Sequence, residues 1–138
     1  MILIVCVDEK NGMIFNNRRQ SRDKILIAHI LEVTKNKKLW ITNFSQDIFN
    51  MSDANNLIID DQFIEKMRED DYCFVENIEV KTLIDKVDKI IIYNWNRNYP
   101  ADQYFDINLD EWVIDSEEEF SGSSHDKITQ KIYIRGNK

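Results

Sequence analysis

The feature that most constrains the fold is an apolar run near the start of the chain, Ile2–Val7, which contains no charged side chain. β-Branched residues are frequent in it. Such runs are typical of strands buried on both faces, in a sheet that helices cover on each side. A second run, Lys89–Trp95, gives the strongest strand pattern in the chain. Together they predict a sheet of largely parallel strands.

Shorter strand patterns alternate with helical patterns between these two runs. Further strands are predicted at Leu39–Ile41, Asn56–Asp60 and Tyr72–Val75. Helices are predicted at Asp23–Thr34, around Ser45–Phe49, at Gln62–Arg68 and after Asn77, where Val80, Leu83, Ile84 and Val87 form an apolar stripe. Strands that alternate with helices indicate βαβ units.

The pattern changes after Pro100. Trp112–Ile114 and Ile128–Ile134 are predicted strands joined without a helix, through Glu117–His125. They predict a C-terminal antiparallel hairpin appended to the sheet. The expected fold class is α/β with a mixed, mostly parallel central sheet, in one domain over residues 1–138.

Composition narrows the partners that we expect. The 138 residues carry a net charge of -7, whereas nucleic-acid and anionic-membrane binders are usually basic. No apolar run approaches the ~18 residues of a membrane span. Cys6 and Cys73 lie in apolar runs, where we expect small buried hydrophobes rather than a disulfide. We expect a cytoplasmic monomer or homodimer that binds neither nucleic acid nor membrane.

The connection Gly12–Asp23, between the first strand and the first helix, carries Arg18, Arg19 and Arg22. Loops at the carboxyl ends of sheet strands are where α/β domains place ligands, and guanidinium groups bind phosphate or carboxylate. These arginines are therefore predicted to bind an anion. An alternative is that they pair with Glu117–Glu119 and are structural.

The histidines offer little catalytic signal. His29 and His125 are too few for a zinc hydrolase, and no metal site is predicted. The residue types of a Ser-His-Asp catalytic triad occur together in Ser123 or Ser124, His125 and Asp126. Adjacent residues rarely converge in one geometry, so a triad there is not expected.

Several segments together resemble dihydrofolate reductase over nearly the whole chain. The segments are Val7-Asp8 followed by Gly12–Asn17, then Ala101–Phe105, and finally Trp112 with the hairpin that ends in Lys131–Ile134. The resemblance implies a three-layer fold with a ligand cleft between the first and fifth strands. It further implies that the hairpin loop Gly122–His125 packs near the arginine connection and bonds Asn16, Asn17 or Arg18, unless that loop is a solvated turn.

The resemblance also implies site residues. Asp23 falls at the family's acidic position, which anchors the pterin ring and assists its protonation, and Val5, Cys6 and Tyr93 fall on the strands that bind the ligand. The other reading of Asp23 is an ordinary carboxylate in the first helical turn, behind Ser21 as N-cap.

The cofactor positions depart from the family. Thr42-Asn43 stands in place of Gly-Arg, and Glu76-Asn77 in place of the Gly-Gly pair that approaches the pyrophosphate. Side chains there block the approach, and Glu76 repels phosphate. The cofactor is thus left unassigned, with NADPH disfavoured.

The predicted function is a divergent dihydrofolate-reductase-like protein that binds a small anionic, pterin- or nucleotide-like ligand. One alternative is a genuine NADPH- or flavin-dependent pterin reductase with Asp23 as proton donor. Another is a non-catalytic domain whose arginine loop and glutamate strand face a protein partner.

Overall fold

The computed structural model describes residues 1–49 and 54–136. Its strands are β1 (Ile2–Val7), β2 (Gly12–Phe15), β3 (Arg18–Arg19), β4 (Leu39–Ile41), β5 (Leu57–Ile59), β6 (Tyr72–Phe74), β7 (Lys89–Asn94), β8 (Gln103–Tyr104), β9 (Trp112–Phe120) and β10 (Ile128–Arg135). An α-helix, α1, spans Lys24–Thr34, and 3-10 helices span Asn43–Phe49, Phe63–Glu65, Val80–Thr82 and Ile84–Lys86. Within the described residues, no helix has the length and apolar character needed to cross a lipid bilayer.

The central sheet has seven strands in the order β5-β4-β6-β1-β7-β10-β9. Strands β5, β4, β6, β1 and β7 run parallel to one another, whereas β10 is antiparallel to both β7 and β9. This arrangement confirms the predicted mixed, mostly parallel sheet with a C-terminal hairpin.

Side chains of β1 alternate between two apolar layers, one on each face of the sheet. One layer contains Leu3 and Val5, together with apolar side chains of the last three 3-10 helices and their flanks. The opposite layer contains Ile4, and α1 covers it with Leu26 and Ile30. The sheet and its two covering layers form the predicted three-layer fold.

A second sheet has the order β3-β2-β8, and two of its strands, β2 and β3, lie in the segment that the sequence predicted as a plain connection. Strands β2 and β3 form a hairpin in which Phe15 pairs with Arg18 and Ile14 with Arg19. Its two-residue turn, Asn16-Asn17, has φ values of 51° and 57°. Two-residue hairpin turns favour positive φ, which asparagine tolerates better than most residues.

Two predicted helices are only short 3-10 turns. Gln62–Arg68 contains Phe63–Glu65, and the stretch after Asn77 contains two turns that begin at Val80 and Ile84. These turns bury their apolar residues without a continuous α-helix, because the i and i+3 side chains of a 3-10 turn lie on one face. Asn77 lies in a bend and caps neither turn, so the helix predicted to begin there is wrong.

Strand β9 is longer than the predicted Trp112–Ile114. The ladder with β10 continues through the acidic run, where Glu117 lies opposite Lys131 and their charged atoms are 3.8 Å apart. The loop that the sequence began at Glu117 therefore starts only after Phe120.

Candidate functional site

Three strands of the central sheet end at one edge, and each is followed by a polar or aromatic side chain. Asp8 follows β1, Glu76 follows β6 after one residue, and Trp95 follows β7. The N-terminus of α1 and the β2–β3 hairpin lie over this edge. Ligands of α/β proteins bind at this edge of the sheet. The candidate site therefore lies here.

Asp23 is the N-cap of α1, and Ser21, the predicted cap, is not. Its Oδ1 accepts hydrogen bonds from the backbone N–H groups of Ile25, Leu26 and Ser123, at 3.0, 3.2 and 2.9 Å. Its Oδ2 accepts from the Ser124 backbone N–H at 2.8 Å. Asp23 therefore joins the start of α1 to the loop between β9 and β10.

The environment of Asp23 keeps its carboxyl group ionised. Burial acts to raise its pKa, but hydrogen bonds from the backbone of Ser123 and Ser124, from His125 and from Leu26 outweigh burial and hold the pKa well below its usual range. The residue is only 3% exposed. Gly122 is required beside it, because a Cβ atom at that position would overlap the Asp23 carboxylate.

His125 completes this cluster. Its Nδ1 lies 3.0 Å from Asp23 Oδ2, and its Nε2 lies 2.9 Å from the Tyr99 hydroxyl and 3.2 Å from Ser21 Oγ. Trp95 stacks on the imidazole with ring centroids 4.5 Å apart. The ring is 3% exposed and held in one orientation. We call Asp23, His125, Ser21 and Tyr99 the histidine cluster.

The three predicted anion-binding arginines differ in their surroundings. Arg19 forms hydrogen bonds from Nε to Glu76 Oε1 at 2.8 Å and from Nη1 to Asp47 Oδ2 at 2.8 Å. Arg22 donates to the same Asp47 carboxylate at 2.6 Å. Arg18 is exposed, and no hydrogen bond or ion pair links its guanidinium to a described residue.

The charges of Arg19 and Arg22 are thus compensated within the fold. The hydrogen bond from Arg19 lowers the pKa of Asp47, so that carboxylate stays ionised. Glu76 is nearly buried and also accepts from the Ser45 hydroxyl at 2.6 Å.

The alternative pairing of the arginines with Glu117–Glu119 is wrong. Those glutamates lie along β9 and pair with Lys131, His29 and Lys127. The predicted hydrogen bonds from the Gly122–His125 loop to Asn16, Asn17 or Arg18 are also absent among the described residues. The loop instead bonds the segment that leads into α1, where Ser123 Oγ accepts from the Lys24 backbone and Ser124 Oγ donates to the Arg22 carbonyl.

The predicted ligand-contacting residues of the sheet lie below the surface. Val5 and Tyr93 are fully buried, and the Tyr93 hydroxyl bonds His29 and Gln130. Burial raises the pKa of Tyr93 and that of the Cys6 thiol, so neither ionises readily. Cys6 lines a cavity of about 20 Å³ together with Ser21, Asp23 and Trp95. That volume holds about one water molecule.

Two of the four predicted cofactor positions, Asn43 and Glu76, carry side chains that are bonded within the fold. Asn43 bonds the Asp61 carboxylate through its backbone N–H and through Nδ2, both at 2.9 Å. Thr42 is buried, Glu76 is paired with Arg19, and Asn77 lies in a half-exposed bend. In residues 1–49 and 54–136, no group of three or more His, Cys, Asp or Glu side chains is placed to hold a metal ion.

A larger opening lies on the outer side of the β2–β3 hairpin. It has a volume of about 260 Å³ and is lined by Phe15, Asn16, Arg18, Arg19, Gln20, Tyr99 and Pro100. We call it the hairpin cleft.

Sequence reasoning missed several residues that organise this edge. The Asp8 carboxylate accepts hydrogen bonds from the backbone N–H groups of Lys10, Gly12 and Tyr99, and so joins the connection between β1 and β2 to the segment that follows β7. The position of Asp8 at the end of β1 was the sequence signal that could have identified it. Asp47 and Tyr99 had no such signal, because their partners lie far away in the sequence.

The comparisons with known proteins agree with this architecture. The sequence matches no protein-family model and no curated protein. Solved structures do match the fold, among them dihydrofolate reductase from Enterococcus faecalis in complex with NADP(H) and RAB-propyl. That match has a TM-score of 0.70 and 11% sequence identity, and it covers 99% of this chain and 96% of the other. Identity this low establishes the fold alone, and the chain has a dihydrofolate-reductase-like fold.

Proposed function

We propose that this protein binds a small, planar, anionic ligand of the pterin or nucleotide type in the hairpin cleft. The observation that carries the proposal is the uncompensated guanidinium of Arg18 beside an exposed aromatic ring in an opening of about 260 Å³. Asp23, Val5, Cys6 and Tyr93 are not among the residues that line this cleft, so in the proposal they do not contact the ligand.

The aromatic and cationic groups of the cleft are neighbours on one face of the hairpin. Phe15 and Arg18 are directly paired across β2 and β3, and Phe15 is 46% exposed. A flat heterocycle can stack on the ring while its acidic end meets the guanidinium. Tyr99 and Pro100 form the opposite wall.

A buried acceptor adds specificity. Gln20 Oε1 is shielded from solvent and accepts no hydrogen bond from a described residue, while its Nε2 makes only long contacts, 3.3 Å to Asp8 and 3.4 Å to the Pro100 carbonyl. Leaving a buried acceptor unpaired costs about 1–3 kcal/mol. The amino or ring N–H group of a pterin or purine would satisfy it.

The size of the cleft favours a single heterocycle over a dinucleotide, because ligand pockets of drug-sized molecules occupy roughly 300–1,000 Å³.

The reductase alternative is further disfavoured because Asp23 is held ionised and has no proton to donate. The structural neighbour was solved with NADP(H). For this chain, NADPH serves as a comparison ligand in the test below.

The interaction-domain alternative has one observation in its favour. Strand β9 is one of the two edge strands of the central sheet, and its Val113 and Ile114 are about half exposed. Edge strands offer unpaired backbone groups to a partner strand. Its glutamates pair with Lys127, Lys131 and, on α1, His29 rather than facing the arginines, so the two surfaces that this alternative combines are separate.

The test is a thermal-shift titration with guanosine monophosphate, a pterin carboxylic acid and NADPH. A ligand at 100 times its dissociation constant stabilises the fold by about 2.7 kcal/mol. We expect the first two compounds to raise the melting temperature more than NADPH does.

Arg18→Gln should weaken the better ligand by about 10–100-fold, since a hydrogen bond to a charged group contributes about 1.5–3 kcal/mol. Arg68→Gln is the matched control, because Arg68 is also exposed but lies outside the residues that line the cleft. If neither compound shifts the melting temperature at millimolar concentration, or if both variants bind equally well, the proposal fails.

A further inference from the structure

We propose that Ser21 is an activated nucleophile, with His125 as its general base and Asp23 as the acid that orients the base, and that it reacts with small acyl esters. The three residues join two distant parts of the chain, the segment that leads into α1 and the loop between β9 and β10. Ser21 and His125 are 104 positions apart, and Asp23 and His125 are 102 positions apart. The ligand-binding proposal concerns Arg18 and the hairpin cleft, so either proposal stands or fails without the other.

The geometry is that of a nucleophile, a base and an orienting carboxylate in line. Ser21 Oγ lies 3.2 Å from His125 Nε2, and His125 Nδ1 lies 3.0 Å from Asp23 Oδ2. A functional set is recognised by these two contacts and by the roles of its members, not by sequence order. The adjacent Ser-Ser-His-Asp run does not form such a set. Ser123 Oγ bonds the Lys24 backbone, and Ser124 Oγ lies 3.2 Å from His125 Nδ1, the nitrogen that faces Asp23 rather than the one that would serve as the base.

The protonation pattern suits base catalysis. The Asp23 carboxylate is ionised and accepts the Nδ1–H of His125, which leaves Nε2 as the acceptor that faces Ser21. Trp95 stacks on the imidazole and prevents it from rotating away. The base and the carboxylate are buried, whereas Ser21 is partly exposed, so only the nucleophile meets solvent.

Tyr99 shares the same nitrogen. Its hydroxyl lies 2.9 Å from His125 Nε2 and 3.4 Å from Ser21 Oγ. In the resting protein Tyr99 therefore competes with Ser21 for the base. Removing the hydroxyl should free Nε2 for Ser21 and make the nucleophile more reactive.

The surroundings limit the substrate to a short acyl group. The cavity beside Ser21 has a volume of about 20 Å³ and includes apolar walls from Met13 and Leu26. It accepts a methyl-sized group, so acetyl esters are the expected class. Within the described residues, the backbone N–H groups of Ser21 and Arg22 carry no hydrogen bond, which leaves them free to bind a developing oxyanion.

The chemistry balances with water as the second reactant. Ser21 Oγ forms a bond to the carbonyl carbon as its proton passes to His125 Nε2. The bond from that carbon to the ester oxygen then breaks, and the departing alcohol takes the proton. Water repeats the sequence on the acetyl-serine, giving acetate and restoring the Ser21 hydroxyl.

The test incubates the full chain with 4-nitrophenyl acetate. The rate of 4-nitrophenol release is measured, and the acetylated residue is identified by peptide mass spectrometry. We expect acetyl on Ser21 in the wild-type protein, and nitrophenol release at least about 100-fold slower in Ser21→Ala. Ser116→Ala is the matched control, since Ser116 is an exposed serine of β9 outside the cluster, and it should behave as wild type. The butyrate ester should react more slowly than the acetate.

Three outcomes would overturn the proposal. They are acetyl found only on lysines or the N-terminus, acetyl mapped to Tyr99, or equal rates for wild type and Ser21→Ala. Tyr99→Phe should increase acetylation of Ser21, because Tyr99 no longer competes for Nε2, and a decrease would count against the assignment. Mapping on the wild-type protein decides the matter even if a variant does not fold.

Discussion

Two arginines that are adjacent in the chain have opposite surroundings, and the difference separates what holds this protein together from what is free to act. Arg19 pairs with Ile14 on the inner face of the hairpin and meets Glu76 and Asp47. Arg18 pairs with Phe15 on the outer face and meets solvent. Strand alternation alone sends the two side chains to opposite sides.

The inner region, which includes the histidine cluster, leaves few of its charges without a partner. Buried charges that are fully hydrogen-bonded stabilise the fold, because removing one partner leaves the other charge buried and uncompensated. The outer region holds a cation, an aromatic ring and an amide oxygen that have no partner in residues 1–49 and 54–136. Unpaired groups of complementary type in one cleft are the better candidates for ligand recognition.

The largest effect should follow from a change at the centre of the inner region. Asp23→Asn replaces a carboxylate that accepts from backbone and imidazole donors with an amide that offers N–H groups to some of them. We expect a loss of about 3–5 kcal/mol in the free energy of unfolding, the cost of breaking a buried charged network. Urea denaturation followed by circular dichroism measures it.

Asp115→Asn is the control for that measurement, since Asp115 is exposed and its side chain contacts no described partner. It should change stability by less than about 0.5 kcal/mol. Similar denaturation midpoints for the two variants would mean that Asp23 is not the structural centre that its contacts indicate.

A smaller effect should separate the two arginines directly. Arg19→Gln leaves Glu76 nearly buried without its cation, and we expect a loss of about 2–3 kcal/mol in the free energy of unfolding. Arg18→Gln should cost less than about 0.5 kcal/mol, as exposed substitutions usually do. The same urea series measures both variants, and equal losses would remove the distinction between inner and outer faces.

The sequence was sufficient for most of the sheet. Runs such as Ile2–Val7 carry enough β-branched and apolar residues to specify strands, and the central sheet has them where predicted. The β2–β3 hairpin was missed because its strands are only four and two residues long. Its signal was the Asn16-Asn17 pair, which tolerates the positive φ that such a turn needs.

The site was less predictable, because its contacts join residues far apart in the sequence. Asp23 was identified as important, yet nothing local pairs it with His125. The arginines were predicted as one group, since without β3 no alternation could assign them to different faces. The predicted roles of Asp23, Arg18 and the other site residues in ligand binding stay predictions that the experiments above address.

The smallest effect concerns the dependence of stability on pH, and it follows from the lowered pKa of Asp23. The folded carboxyl group has a pKa below the unfolded value of about 3.9, so the unfolded chain binds more protons in acid. The stabilisation from Asp23 is therefore complete above about pH 5 and declines as the pH falls through 4 towards the folded pKa. The slope for one carboxylate is at most about 1.4 kcal/mol per pH unit.

Asp47, whose pKa the hydrogen bond from Arg19 also lowers, adds to the same trend in the wild type and in Asp23→Asn alike. The difference in unfolding free energy between these two proteins isolates Asp23, and it should shrink between pH 5 and pH 3. A difference that stays constant over that range would mean that the Asp23 carboxylate is not held ionised by its hydrogen bonds, and the inner region would then owe its stability to packing rather than to compensated charge.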